Sequence, residues 1–211
     1  MKTHAIAVLL LVVATGASAQ DTGSSLTLME AAAFAVSAQT GSSGEPSVSP
    51  FGAGTWSFQT YGSATFGDDA GELYLAHVGV GYHFIDALSL NFEAVGGAMV
   101  IEDLGTTNGE DAAAIGLDLL LRWHFCRRDG WSLYMDGGAG LIQGTASFPA
   151  NGTHFNFTPQ FGLGITASLT DTLSLMGGAR WHHISNAGKN GQDENPGYDG
   201  AMLYGGVMFA F

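Results

Sequence analysis

Three things are scarce in this chain, and each scarcity excludes something. Cysteine occurs once, at Cys126, so no disulfide can form within the chain. Charged residues are only 12% of the total, and lysine plus arginine number six against nineteen acids, for a formal charge of −13. A chain this acidic is a poor partner for phosphate backbones, which argues against nucleic acid as a ligand. Long apolar runs are also missing. The stretch from Ala5 to Val13 is too short to span a bilayer, and no later segment reads as an uninterrupted apolar helix. Insertion into a membrane must therefore use strands. Glycine, by contrast, is abundant at 32 residues, which disfavours an all-helical fold.

The N-terminus reads as a secretory signal peptide. Lys2 supplies the charged start, residues 5–13 the apolar centre, and Ala17-Ser18-Ala19 the small-residue cleavage site. Cleavage after Ala19 removes Lys2 and leaves a mature chain one unit more acidic. Its length calls for one domain. Three regions follow: a signal peptide at 1–19, a leader of uncertain structure at 20–54 and a β-domain at 55–211. The leader is rich in Ser, Gly and Pro, and residues 26–36 suit either a short helix or an extra strand.

From residue 55 onward, hydrophobicity alternates with period two between turn signals. Segments at 55–66, 73–85, 88–101, 115–125, 131–141, 155–169, 173–185 and 201–211 predict eight strands. The fourth is the clearest: Ile115, Leu117, Leu119, Leu121, Trp123 and Phe125 alternate with Gly116, Asp118, Arg122 and His124. An even number of strands suits a closed antiparallel barrel, and their lengths are near those of tilted transmembrane strands. Trp123, Phe125 and Trp131 cluster around one turn, as an aromatic girdle does. Glu93, Asp118, Arg122, Asp136 and Arg180 share the opposite face and could pair inside. The expected fold is all-β, an eight-stranded antiparallel transmembrane β-barrel; a secreted soluble barrel is the weaker alternative. Connections alternate short (near 86, 127–130 and 170–172) and long (67–72, 102–111, 144–154 and 186–200). In outer-membrane barrels the short turns face the periplasm and the long loops face outward.

One constellation carries chemistry. In the run Arg180-Trp181-His182-His183-Ile184-Ser185, residues two apart share a face. His183 and Ser185 fall in the apolar, lipid-facing phase, and His182 points inward. Counting back from Phe211, Asp199 has the outward phase as well, on the neighbouring strand. A His and a Ser on a lipid-facing stripe are costly unless used or interfacial. Together with a carboxylate they are the parts of a serine-hydrolase triad. His-x-Ser alone is a common tripeptide, and an interfacial histidine beside a loop serine is the plain reading of it. Asp193 and Glu194 read by default as solvated loop acids.

The stretch His183-Ile184-Ser185-Asn186-Ala187-Gly188, followed by Asn195-Pro196-Gly197-Tyr198-Asp199, resembles the lipid A 3-O-deacylase (PagL-type acyloxyacyl hydrolase) family. The resemblance implies an eight-stranded outer-membrane barrel and a carboxylic ester hydrolase. It puts the nucleophile on Ser185, the base on His183 and the acid on Asp199, where the family usually has Glu; Glu194 is the alternative acid. It makes Asn186, with the N–H groups near Gly188, the oxyanion stabiliser, and lets Asn195 shape the site. The expected substrate is lipid A or lipopolysaccharide at the outer leaflet, in contact with outer-membrane lipids; a homodimer is left open. No cofactor is expected, and no His/Cys group has metal-ligand spacing. Two other functions compete: a non-catalytic structural or adhesive barrel, and an outer-membrane phospholipase using the same triad.

Overall fold

The computed structural model describes residues 49–67, 71–101, 111–189, 191 and 195–211. The signal peptide, most of the leader, the 102–110 connection, Asp193 and Glu194 lie outside the described residues.

Among the described residues, nine strands form one sheet: β1 (Trp56–Gly67), β2 (Gly71–Ile85), β3 (Leu88–Ile101), β4 (Ala112–Arg128), β5 (Trp131–Phe148), β6 (Thr153–Phe157), β7 (Gln160–Ser168), β8 (Leu173–Ile184) and β9 (Tyr198–Ala210). Every pairing is antiparallel, and β1 pairs with both β2 and β9, which closes the sheet on itself. β6 and β7 are two halves of one staff. Pro159 has no N–H to donate, so the strand is interrupted at 158–159, yet Thr158 still exchanges hydrogen bonds with Gly140, and the Pro159 carbonyl accepts from His183 N–H. Counted by position in the wall, the barrel has eight strands, as the alternation predicts.

Alternation becomes a two-sided wall. Leu117, Leu119, Leu121, Phe92, Leu163 and Ile165 face outward and are about half exposed, a belt that only lipid would cover. The inward side chains are mostly polar and fully packed, and eight staves leave a lumen that side chains fill. At its centre Asp136 receives two guanidinium groups: Arg122 through Nε and Nη2 at 3.1 and 2.8 Å, and Arg180 through Nε and Nη2 at 3.0 and 2.8 Å. Arg122 Nη1 also donates to Gln59, whose amide donates to Glu93 at 2.6 Å; Arg180 Nη1 donates to the Tyr61 hydroxyl, which in turn bonds Glu93. Buried charge is tolerable only when paired in this way. Apolar clusters cap the polar belt on either side. One contains Leu73, Met99, Phe148, Ile184 and Tyr198; the other contains Phe51, Tyr134, Met176 and Met208.

Two differences from the sequence reading matter. The connection expected at 144–154 is mostly strand. β5 runs on to Phe148, with a register shift between Gln143 and Phe148, and only 149–152 turn. Gly144-Thr145-Ala146-Ser147 are small or polar, so the strand there has no alternation to reveal it. Residues 49–54, the end of the expected leader, fold against the short-turn end of the barrel. Phe51 stacks on His124 at 4.0 Å, its carbonyl accepts from Ala87 N–H, and Ala53 N–H donates to Asp86.

Candidate active site

The site is built where β8 and β9 leave the wall at the long-connection end. The two strands pair so that His183 stands opposite Asp199 and Ile184 opposite Tyr198. Ile184 and Tyr198 turn inward and are fully buried, with Tyr198 edge-on to Phe148 at 5.0 Å. That inward packing fixes the strand phase, so His183, Ser185 and Asp199 turn outward. Past Ile184 the chain keeps one more bridge: Ser185 pairs with Phe157 through two backbone hydrogen bonds of 2.8 and 3.1 Å. Ser185 is therefore held on three sides, by β8, by the end of β6 and by the turn that follows.

His183 Nδ1 lies 2.9 Å from Asp199 Oδ1. The same oxygen accepts the indole N–H of Trp181 at 2.8 Å, and the Trp181 and His183 rings stack 5.6 Å apart at 20°. An indole nitrogen can only donate and an ionised carboxylate can only accept. The atom facing His183 Nδ1 is thus an acceptor, which selects the tautomer with the proton on Nδ1 and leaves Nε2 its lone pair. His183 is about one-quarter exposed and Asp199 about one-half, so this pair works at a wet boundary. Trp181 is a further residue of the site, and its only signal in the sequence is its phase, two residues before His183.

The turn after Ser185 is tightly specified. Asn186 is buried; its N–H donates to Asn195 Oδ1 at 2.9 Å, and its own Oδ1 accepts Gly188 N–H at 2.9 Å. Ala187 and Gly188 both adopt the left-handed region, at φ 57° and 71°, which brings the chain sharply round. Asn195 thereby ties the far side of the connection to the base of the Ser185 turn. The Gly188 N–H that the resemblance assigns to an oxyanion donates to Asn186 Oδ1 in this arrangement. Gly197, at φ 70°, lies against the imidazole: a Cβ there would stand 3.6 Å from His183 Cε1. Around the site run exposed aromatics, with Phe155 edge-on to Phe157 at 5.7 Å and Phe161 5.3 Å from Trp181. Lys189 Nζ stands 6.0 Å above the Phe155 ring. His182, as its phase predicts, is buried in the lumen. Glu194, the alternative acid, is outside the described residues.

A closed antiparallel barrel with an apolar outer belt, a packed polar lumen and a His–Asp pair on its outer wall is a transmembrane barrel of the outer-membrane type. The sequence model described as lipid A 3-O-deacylase (PagL) matches residues 34–207, and the chain belongs to that family of outer-membrane hydrolases. Among solved structures, it is similar to the outer membrane enzyme PagL, with a TM-score of 0.56 and 16% identity over 72% of this chain and 98% of that one. The outer membrane protein OprG from Pseudomonas aeruginosa gives a TM-score of 0.53 and 14% identity over 76% and 97%. Neisserial surface protein A gives 0.53 and 13% over 74% and 96%. At these identities the structural likeness concerns the fold alone. No curated protein gives a significant match.

Proposed function

We propose that this protein is a serine esterase that removes an acyl chain from lipid A at the outer leaflet, with Ser185 as nucleophile, His183 as general base and Asp199 as its orienting acid. The observation that carries the reading is the 2.9 Å contact between His183 Nδ1 and Asp199, two residues from Ser185 on the same outward face. A carboxylate at Nδ1 leaves Nε2 free to take the serine proton.

Ser185 Oγ attacks the ester carbonyl as His183 Nε2 accepts its proton, giving a tetrahedral oxyanion. Collapse expels the sugar-borne alkoxide, which takes that proton back from His183 and leaves an acyl-serine. Water, deprotonated by His183, then releases the fatty acid and regenerates Ser185. Asn186 and the Gly188 N–H are the donors assigned to the oxyanion, each such donor supplying roughly 3 kcal/mol in comparable sites. Asn195, bonded to Asn186 N–H, shapes that corner. The outward face lets acyl chains stay in lipid along Phe155, Phe157 and Phe161 while the ester reaches water at the rim. Lys189 brings a cation to this rim, which suits a phosphorylated substrate despite the acidic chain.

The test is incubation of the folded protein with lipid A and, separately, with glycerophospholipid, followed by mass spectrometry of the products. Loss of one hydroxyacyl chain from lipid A alone, abolished in Ser185→Ala, is the expected result. Release from phospholipid instead makes the protein a phospholipase. No product from either lipid leaves a non-catalytic barrel, and a fully active Ser185→Ala overturns the triad.

A further inference from the structure

Behind the outer wall, the lumen holds a second group of reactive side chains that the proposed hydrolysis does not use. His77 on β2, Glu93 on β3 and Asp118 on β4 come from three adjacent strands, are all buried, and present one nitrogen and two carboxylate oxygens within 4.8 Å of one another. Glu93 and Asp118 are register partners, so two carboxylates face each other directly.

Charge does not balance there. Among the described residues the buried charged groups of the lumen are Arg122 and Arg180 against Asp136, Glu93 and Asp118. Both guanidiniums are committed to Asp136 and reach Glu93 only through Gln59 and Tyr61. Among the described residues Asp118 receives just the Thr158 hydroxyl, at 3.1 Å. With the buried histidines counted as neutral, one negative charge is left over in a medium where an uncompensated ion is very costly.

His77 supplies the independent sign. Its Nε2 lies 2.9 Å from Ser63 Oγ, and its ring stacks on Tyr61 at 4.3 Å and 10°, so the imidazole is locked in plane. Among the described residues its Nδ1 has no hydrogen-bond partner; it is fully buried and faces the carboxylates, 3.7 Å from Glu93 Oε2. That is too long for a hydrogen bond. A histidine fixed at one nitrogen by a hydrogen bond, with the other turned to carboxylates, meets the geometric requirement of a metal-ligating imidazole. Two ligands of one divalent ion, each at about 2.0–2.6 Å, lie no more than about 4–5 Å apart, which the cluster satisfies. A small cavity of about 10 Å³ lined by His77, Asp118 and Thr158 gives room for about one water to complete the coordination. Gly140 makes the space for Asp118: a Cβ there would stand 1.8 Å from Asp118 Oδ1.

We propose that His77, Glu93 and Asp118 form a structural site for one first-row divalent cation, with Zn²⁺ its working probe, that ties β2, β3 and β4 together inside the barrel. The mixed nitrogen and carboxylate donor set suits such an ion. With apolar clusters on both sides of the polar belt, the ion enters while the barrel folds and leaves slowly afterwards.

The test is refolding of the full chain from urea into detergent with either Zn²⁺ or a chelator, then gel filtration, elemental analysis and a thermal melt followed by the electrophoretic shift of the folded barrel. Refolding with Co²⁺ adds a visible absorption spectrum. Expected are about one equivalent of Zn²⁺ per chain, a higher midpoint than the chelator-refolded protein, and Co²⁺ bands in the visible. Asp118→Asn and His77→Gln, which conserve shape, should each lose the retained metal and the midpoint difference. Should one variant fail to fold, the other and the wild-type Co²⁺ spectrum decide. Wild type holding less than a tenth of an equivalent, with the same midpoint in metal and chelator, overturns the proposal and leaves the spare charge to a shared proton. Metal retained equally by both variants overturns it too, because the ion then sits elsewhere.

Discussion

Replacing Asp199 by Asn keeps the shape of the site and removes one charge, which makes it the sharpest probe of the His183–Asp199 pair. In serine proteases the same change at a buried acid lowers kcat about 10⁴-fold, chiefly because the amide imposes the wrong imidazole tautomer. Here the outcome should be milder, for two structural reasons. Asp199 is half exposed, so water already screens part of its charge. The Trp181 indole N–H, 2.8 Å from Oδ1, also holds an acceptor in that position and keeps the Asn oxygen toward His183. What remains is the loss of a charge-assisted hydrogen bond, about 1.5–3 kcal/mol, of which exposure favours the lower half. At 1.36 kcal/mol per factor of ten, kcat should fall about ten- to fifty-fold with KM little changed. Removing the tryptophan donor as well, in Trp181→Phe with Asp199→Asn, frees the amide to flip. The double variant should then fall by more than the product of the single effects. The assay is a time course of fatty acid released from lipid A, normalised to the fraction of folded barrel. A loss under about threefold, or one confined to KM, refutes Asp199 as the orienting acid and directs the same test to Glu194→Gln.

Three further outcomes follow from the packing. Trp181→Phe alone keeps the ring stacked on His183 but deletes one exposed hydrogen bond, so activity should drop less than about tenfold while urea stability stays unchanged. Arg180→Met strands Asp136 with a single guanidinium and deprives the Tyr61–Glu93 relay of its cation. Urea unfolding in detergent should show a loss of about 3–5 kcal/mol. Leu119→Arg, near the middle of the lipid-facing stripe of β4, should cost about 2–4 kcal/mol when folding is measured in bilayers, and clearly less in the pliable shell of a detergent micelle.

How far the sequence could be read depends on contrast between neighbouring residues. β3 starts where expected, at Leu88, because Leu88, Leu90 and Phe92 alternate with Ser89, Asn91 and Glu93 directly after the Asp86–Ala87 turn. β4 extends three residues before Ile115, where Ala112-Ala113-Ala114 offer no contrast, and β5 runs past the expected end at 141 to Phe148, where small residues after Gln143 give no alternation. Face is a matter of parity, so the outward placement of His183, Ser185 and Asp199 was legible. Pairing is a matter of register: the partner of His183 depends on where β9 starts after the 185–197 connection, and nothing local says that it starts at Tyr198 rather than Ala201. The same limit hid the lumen cluster. Glu93 and Asp118 could be recognised as inward, but their meeting with His77 is a property of two registers at once, β2 on β3 and β3 on β4.

The bridge between Phe157 and Ser185 means that the base, the acid, the serine and the turn around them all lie between positions 157 and 199 of the chain. The remaining staves touch this stretch as a frame touches a panel. Opening the chain at the Asp86–Ala87 turn and joining its ends elsewhere would leave the panel intact, so the chemistry should survive circular permutation there. Around the rest of the circumference, sequence then has only to keep the frame closed, its outer belt apolar and its lumen charges paired.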